Sequence, residues 1–514
     1  MSSKNYTHYT VIILFYLITC VYIGNYVGFD RHWTSNYDHE LTLIYNAMLF
    51  NNGREIEYLQ HPGYFTILFL SFFYKILFIL DFLQVDKLSF LTSDNFDSSL
   101  KKLAFFARVY SAICVAFFSS ITYFVFYQFS NNKIFSLFLS LILFSFHGSI
   151  YHVLQLRTEL IAMTFSILSF VSLSHFLKNN NRYLSLVCFV VFLIFSLLNK
   201  MQMFFLIPFF LMPLFFYPNK IIDFNIEKFL FIKNKSFSIV LIFIFFLFIY
   251  NSNNTLHPFP IFSAIAAFAG MLFLNLFFYF LIRKKIKDTF SYLVVINLTF
   301  IISFLIIKSV LMIHPSTSEM IFINLSRIMH LAQYVPGTPE INDSYNLIFV
   351  LFSRFIQNIY FVINDYIFQL NIYSILIILN LSLTFIFRKK IDLKIIKFNL
   401  ACLFVSLSII VINYLRADEN ILLPKYQIFS DFFFILSFCH FGDFIKKRFL
   451  IIILIVPIWL NAEPVKKQIL NSKKNRNKIE LICYDSFFYD WQRQMKKDYF
   501  VSFCNKYFLR RSFP

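Results

Sequence analysis

The stretch NYDHELTLIYNAMLFNNGREIEYLQHPG, residues 36–63, decides how the rest of the chain is read. It gathers Asp38, Glu40, Arg54, Glu55, Glu57 and His61 between two apolar segments, 9–27 and 63–83. Elsewhere charge is scarce: 14% of the 514 residues are Asp, Glu, Lys or Arg, 59% are hydrophobic, and the mean hydropathy is +0.67. Apolar runs of about 17–25 residues, the length an α-helix needs to cross a bilayer core, recur from end to end. The expectation is an all-α polytopic membrane protein, not a soluble one. The first apolar segment lacks a small-residue cleavage site and is expected to stay as an anchor.

The 46 Lys and Arg against 27 Asp and Glu leave a net charge of +19, which in a soluble protein would suggest nucleic acid. Here the basic residues cluster in short loops between apolar runs, as the positive-inside rule produces, so no nucleic-acid partner is expected. The groups RKKIK (283–287), RKK (388–390) and KKR (446–448) mark the cytoplasmic side. Lys220, Lys228, Lys233 and Lys235 mark another cytoplasmic loop, and the 178–182 turn a further one.

Counting spans between these markers places 28–102, 150–158, 251–257, 314–345 and 415–425 outside. The count gives about 13 crossings of the bilayer. It closes only if 63–83 lies along or dips into the outer interface, and 346–363 reads the same way. Residues 1–461 are then one transmembrane domain with a long first outer loop, 28–102, a second at 150–158 and a later one at 314–363. Residues 462–514 form a small polar tail, expected outside.

Of the seven cysteines, Cys20, Cys114, Cys188, Cys402 and Cys439 fall in apolar runs as packing residues. Cys483 and Cys504 lie in the tail, where an oxidising compartment would allow a disulfide. No C-x-x-C pair is present, and no metal site is expected.

Four polar groups stand at the outer ends of the spans. Within 39–51, Leu41, Ile44, Tyr45, Met48 and Leu49 repeat at helical spacing, predicting an amphipathic surface helix with Asp38 at its start and Glu40 in its first turn. In LQLRTELIAMTF (154–165), Arg157 and Glu159 precede an apolar run. In YLRADENILLPKYQIF (414–429), Arg416, Lys425 and Tyr426 stand on the side the positive-inside rule leaves poor in cations, which a bound phosphate would explain. The loop 313–340 adds His314, Glu319, Arg327, His330, Gln333 and Tyr334, with no H-E-x-x-H spacing. Lys308 is read as the main mid-span ionisable residue.

Taken in order, these groups resemble the GT-C superfamily of membrane glycosyltransferases, in the branch that contains protein O-mannosyltransferases and lipid A aminoarabinose transferases. That branch carries an Asp-Glu pair in its first outer loop, then a Gly and a Pro-Pro element. Glu40 and Gly53 keep the spacing, and His61-Pro62-Gly63 stands in for the prolines. Arg157-Thr158-Glu159 resembles the second-loop motif and Lys425-Tyr426 the late Arg-Tyr region. The family's Asp falls on His39 here, so either Asp38 or Glu40 can be the base.

The resemblance implies an inverting transfer of sugar from a polyprenyl-phosphate carrier to a hydroxyl of a cell-envelope lipid, glycan or protein. No cofactor or metal would be involved, and the reaction would take place on the outer face of a bacterial cytoplasmic membrane. It makes Asp38 or Glu40 catalytic. Glu159, Arg157, His61, Arg327, His330 and Tyr334 would bind substrate, and Arg157, Arg416, Lys425 and Tyr426 the donor phosphate. The alternatives are a transporter or lipid flippase, whose charges belong at mid-membrane, and a non-catalytic assembly protein.

Overall fold

The computed structural model describes residues 3–33, 40–54, 63–92, 94–178, 183–200, 203–216, 372–414 and 424–442. It also describes short pieces at 276, 279, 293, 296–302, 356–360, 362–364, 444, 462 and 466. Among these residues regular structure is helical throughout, as expected where no water can pair with exposed backbone groups.

The helices, labelled in chain order among the described residues, begin with α1 (Ser3–Val27), α2 (Glu40–Asn51), α3 (Tyr64–Ile79) and α4 (Phe96–Ser130). Then come α5 (Lys133–Ser145), α6 (His147–Leu154), α7 (Thr158–Lys178), α8 (Tyr183–Asn199) and α9 (Met203–Leu211). The last three are α10 (Ile372–Phe387), α11 (Leu393–Tyr414) and α12 (Pro424–Leu436).

Among the described residues four helices are long and apolar enough to cross a membrane: α1, α4, α7 and α11. A fifth span results if α5 and α6, bent by 64° at Phe146, are taken together. The chain is therefore a helical membrane protein. Of the expected crossings, those between 217 and 371 and after 442 fall almost wholly outside the described residues.

Helix ends sort into two sets. At one end, Ser111 of α4 donates to the carbonyls of His152 (2.6 Å) and Gln155 (3.0 Å). Arg31, just past α1, donates to Leu154 O at 2.6 Å. That end therefore holds the C-terminal ends of α1 and α6 and the N-terminal portions of α4 and α7. At the other end His8 of α1 meets Tyr123 of α4 at 2.5 Å, and Asn132 ahead of α5 donates to Gly442 O at 3.3 Å.

The α7–α8 hairpin is closed by small polar side chains. Ser166 and Ser196 hydroxyls lie 2.7 Å apart, and Ser169 donates to Phe189 O at 3.0 Å. Such pairs let helix backbones approach where lipid supplies no hydrophobic drive for association.

Two sequence expectations differ from the fold. First, α2 forms over the expected residues, but it is not a half-exposed surface helix: Glu40 through Leu49 are all buried. Its polar side chains are matched internally, Glu40 by Arg108 of α4 and Asn46 by the Thr42 carbonyl at 2.8 Å. Helical spacing showed which residues were apolar, but not that neighbours would cover the polar side too. Second, most of the expected second outer loop is helix, because α6 runs to Leu154 and only 155–157 link it to α7.

The α3 helix keeps to the first end. Gly63, at its start, donates to Asn199 O at 3.1 Å, and Tyr74 donates to Leu103 O near the start of α4 at 2.9 Å. Ile67, Leu70, Ser71, Tyr74 and Leu77 face inward, while Phe69, Phe72, Ile76 and Ile79 are exposed, so both faces are apolar.

The break between α5 and α6 is set by packing. Phe146 takes an extended backbone, its ring stacks on Tyr373 of α10 at 5.3 Å, and Ser149 donates to Leu143 O at 2.9 Å. Gly148 then lies against α12 so closely that a Cβ would sit 2.8 Å from Ile428 N. Gly148→Leu is expected to destabilise by about 1–3 kcal/mol, the usual cost of overpacking. A lower thermal unfolding midpoint in detergent reads this, and an unchanged midpoint would show that α6 and α12 can part freely.

Candidate functional site

Asn199, the last residue of α8, joins three elements at the first end. Its Oδ1 accepts from Thr66 N (2.9 Å) and Thr66 Oγ1 (3.0 Å), and its Nδ2 donates to Thr158 O (2.6 Å). Its carbonyl receives Gly63 N–H at 3.1 Å. Gly63, at the start of α3, has φ +50, a left-handed value that suits glycine. The first and second loops are thereby fixed to one residue.

Next to Asn199, Lys200 carries a side chain only 2% exposed. Its Nζ lies 2.9 Å from Glu159 Oε1, in the first turn of α7. Arg157 Nε is 3.5 Å from Glu159 Oε2, so the carboxylate stands between two cations. The Lys200 ammonium also lies 5.7 Å from the ring centroid of Tyr426, in the first turn of α12. Glu159, Arg157 and Lys200 are all at least nine-tenths buried. A buried carboxylate is tolerated when its desolvation is compensated; here Lys200 supplies a charge-assisted hydrogen bond and Arg157 a second nearby cation.

A second buried pair lies at the same end. Arg108 Nε donates to Glu40 Oε1 (3.1 Å) and Oε2 (3.3 Å), and Nη2 donates to Oε2 at 3.3 Å. The same guanidinium donates to the carbonyls of Phe29 (3.1 Å), Arg31 and His32 (3.3 Å). Arg108 therefore sets the path between α1 and α2 as well as the place of Glu40. Just outside, Asp97 Oδ1 accepts from Trp33 Nε1 at 2.7 Å and lies 3.2 Å from His32 Nε2. Arg31 links the two clusters, since its carbonyl meets Arg108 and its guanidinium meets Leu154, three residues before Arg157. Burial, with Arg108 nearby, lowers Arg31 to about 10, which leaves it a cation at neutral pH.

Of the residues singled out in the sequence, Arg157, Glu159 and Tyr426 come together in one cluster, and Glu40 sits in the other. Lys425 is on the first turn of α12, with its side chain outside the described set. Asp38, His61, Arg327, His330, Tyr334 and Arg416 also lie outside the described residues. Lys308, expected as the main mid-span ion, does too.

Sequence reasoning missed Arg108, Asn199 and Lys200. Arg108 had a signal: an arginine inside an apolar run calls for a partner, and Glu40 is that partner. Asn199 and Lys200 end an apolar run on the side expected to be outside, and read as ordinary flanking residues.

Among the described residues no group of three or more His, Cys, Asp or Glu side chains is placed to hold a metal ion. The chain matches no protein-family model and no curated protein.

Arg108→Met leaves Glu40 buried without its cation and is expected to cost about 3–5 kcal/mol of stability. Adding Glu40→Gln removes the stranded charge and is expected to restore much of that loss. Thermal or SDS unfolding of the three purified variants checks this. A double variant as unstable as Arg108→Met would assign the loss to the carbonyls of 29–32 instead.

Proposed function

We propose that the protein is an inverting glycosyltransferase that takes sugar from a polyprenyl-phosphate carrier at the outer face of a bacterial cytoplasmic membrane. The observation that carries this reading is the convergence of three distant motifs. Gly63 of the first loop, Arg157 and Glu159 of the second, and Tyr426 beside Lys425 meet around Asn199 and Lys200. A transfer of this kind needs a base for the acceptor, polar groups for the sugar and cations for the departing phosphate, all at one membrane surface.

In the reaction the acceptor oxygen forms a bond to the anomeric carbon as the carbon–oxygen bond to phosphate breaks on the opposite side. The hydroxyl proton passes to a carboxylate, and polyprenyl phosphate leaves as an anion. Asp38 is the base. Glu40 is less suited, because Arg108 engages both of its oxygens. Its role is to hold the start of α2. Glu159 binds sugar or acceptor, joined by His61, Arg327, His330 and Tyr334. Arg157, Arg416, Lys425 and Tyr426 bind the donor phosphate.

The lipid carrier reaches the site from the membrane plane. Helix α3, apolar on both faces and confined to the site's end of the bundle, is read as an interfacial helix within about 13 crossings in all. The acceptor is a cell-envelope lipid, glycan or protein. Transfer is metal-independent, since the neighbours of Glu159 are two cations, which repel a divalent ion.

A second reading has one observation in its favour. Asp431, buried in α12, accepts from Tyr373 at 2.9 Å and faces Gly148 just after the α5–α6 break. Its Oδ2 has no hydrogen-bond partner. An acid beside a broken span is a feature of transporters.

Purified protein incubated with radiolabelled polyprenyl-phosphate sugars and envelope lipids separates the two, because only the transferase consumes the donor. Asp38→Asn is expected to lower turnover by about 10²–10⁴-fold at normal expression. If Glu40→Gln is the more damaging change in folded protein, the base is Glu40. Activity is expected to survive EDTA; loss with EDTA and recovery with Mg²⁺ or Mn²⁺ would remove the metal-free mechanism.

A further inference from the structure

Lys200 does more than neutralise Glu159. An ammonium has three donors, and among the described residues this one makes a single hydrogen bond, to Glu159 Oε1. The Tyr426 ring supplies an electrostatic face at 5.7 Å but no oxygen acceptor. A cation buried to 2% exposure with donors to spare is costly unless an anion uses them. The residue is held firmly at its base: Lys200 N donates to Ser196 O at 2.9 Å, and its carbonyl accepts from Met203 N at 3.0 Å. Its side chain, by contrast, is a flexible four-carbon stem.

Glu159 does not depend on Lys200 alone. Arg157 stands 3.5 Å from the other oxygen of Glu159, so the carboxylate keeps a cation when Lys200 leaves it. Tyr426, whose ring centroid lies 5.7 Å from the ammonium, stands in the first turn of a 13-residue helix. Free backbone N–H groups and the positive end of the helix dipole favour an anion there. A phosphate has enough oxygens to meet the lysine and the helix end together.

We infer that Lys200, with the first turn of α12, seats the phosphate of the lipid donor, exchanging its bond to Glu159 for bonds to phosphate oxygens. This rests on the transferase reading above. It adds a phosphate-binding residue that stands far from the late Arg416–Lys425–Tyr426 region in sequence. Glu159, relieved of one partner, then faces the sugar, so that donor binding itself prepares the carboxylate.

The test is equilibrium binding of radiolabelled polyprenyl monophosphate, without sugar, to the full-length protein in nanodiscs. Wild type is expected to bind it and to ignore the uncharged polyprenol. Lys200→Met is expected to weaken binding about tenfold or more, the scale of losing charge-assisted hydrogen bonds, and Lys200→Arg to recover part of it.

Because Lys200→Met alone leaves Glu159 short of a cation, Lys200→Met/Glu159→Gln is measured as well. It removes both charges and is expected to fold yet bind weakly. If the double variant binds like wild type, Lys200 is not the seat, although the transferase reading stands. If wild type binds no polyprenyl phosphate while folded, the donor reading falls and the inference with it. If inorganic phosphate competes as tightly as the lipid, the site takes a free anion and the lipid assignment is overturned.

Discussion

The arrangement at the site's end of the bundle depends on Asn199. Its side chain and carbonyl bind Gly63 and Thr66 of one stretch and Thr158 of another, 92 residues beyond Thr66. In a membrane protein such a residue has unusual leverage, because each buried polar atom must find a partner and apolar contact gives little preference between neighbours. Once Asn199 fixes the starts of α3 and α7, Glu159 and Lys200 are fixed as well, being adjacent in the chain to Thr158 and Asn199.

Arg108 works in a similar way one layer outward. Its contacts with Glu40 and with the carbonyls of 29, 31 and 32 hold the path from α1 to α2 against α4. Arg31 extends this set to the end of α6, three residues before Arg157, so charges and carbonyls gather at one end of the bundle over an apolar body. Below it the helices pack through serines and aromatic rings, with α1 presenting Val11, Leu14, Ile18 and Tyr22 outward as a lipid-facing surface would. This division of a polar end from an apolar body fits chemistry at the membrane surface on a lipid-borne substrate.

Much of this was legible before folding. The apolar runs mark α1, α4, α7 and α11, since hydropathy averaged over a span's length reports whether that segment prefers lipid. The turn Asn51-Asn52-Gly53 ends α2 where expected, with Gly53 at φ +69. Arg157, Glu159 and Tyr426 were picked out as polar residues flanking spans; Arg157 and Glu159 pair, and Tyr426 joins them through Lys200. The errors have a common form. For α2, spacing indicated an exposed polar side that the fold buries. For 150–158, the reading missed that α6 continues to Leu154 after a break at Phe146, an effect of Tyr373 more than two hundred residues away.

The sequence by itself determined the class: a basic, aromatic-rich helical membrane protein with its rare carboxylates outside the longest apolar runs. Those properties are local, and sum over short windows. Only the tertiary structure decided that Glu40 belongs to Arg108, that Glu159 is shared by Arg157 and Lys200, and that Asn199 joins two loops. Each of these is a pairing between helices, 68 residues apart for Glu40 and Arg108 and 41 for Glu159 and Lys200. A buried charge requires a partner, but nothing in its neighbourhood along the chain says which one. That choice is made by how the helices pack.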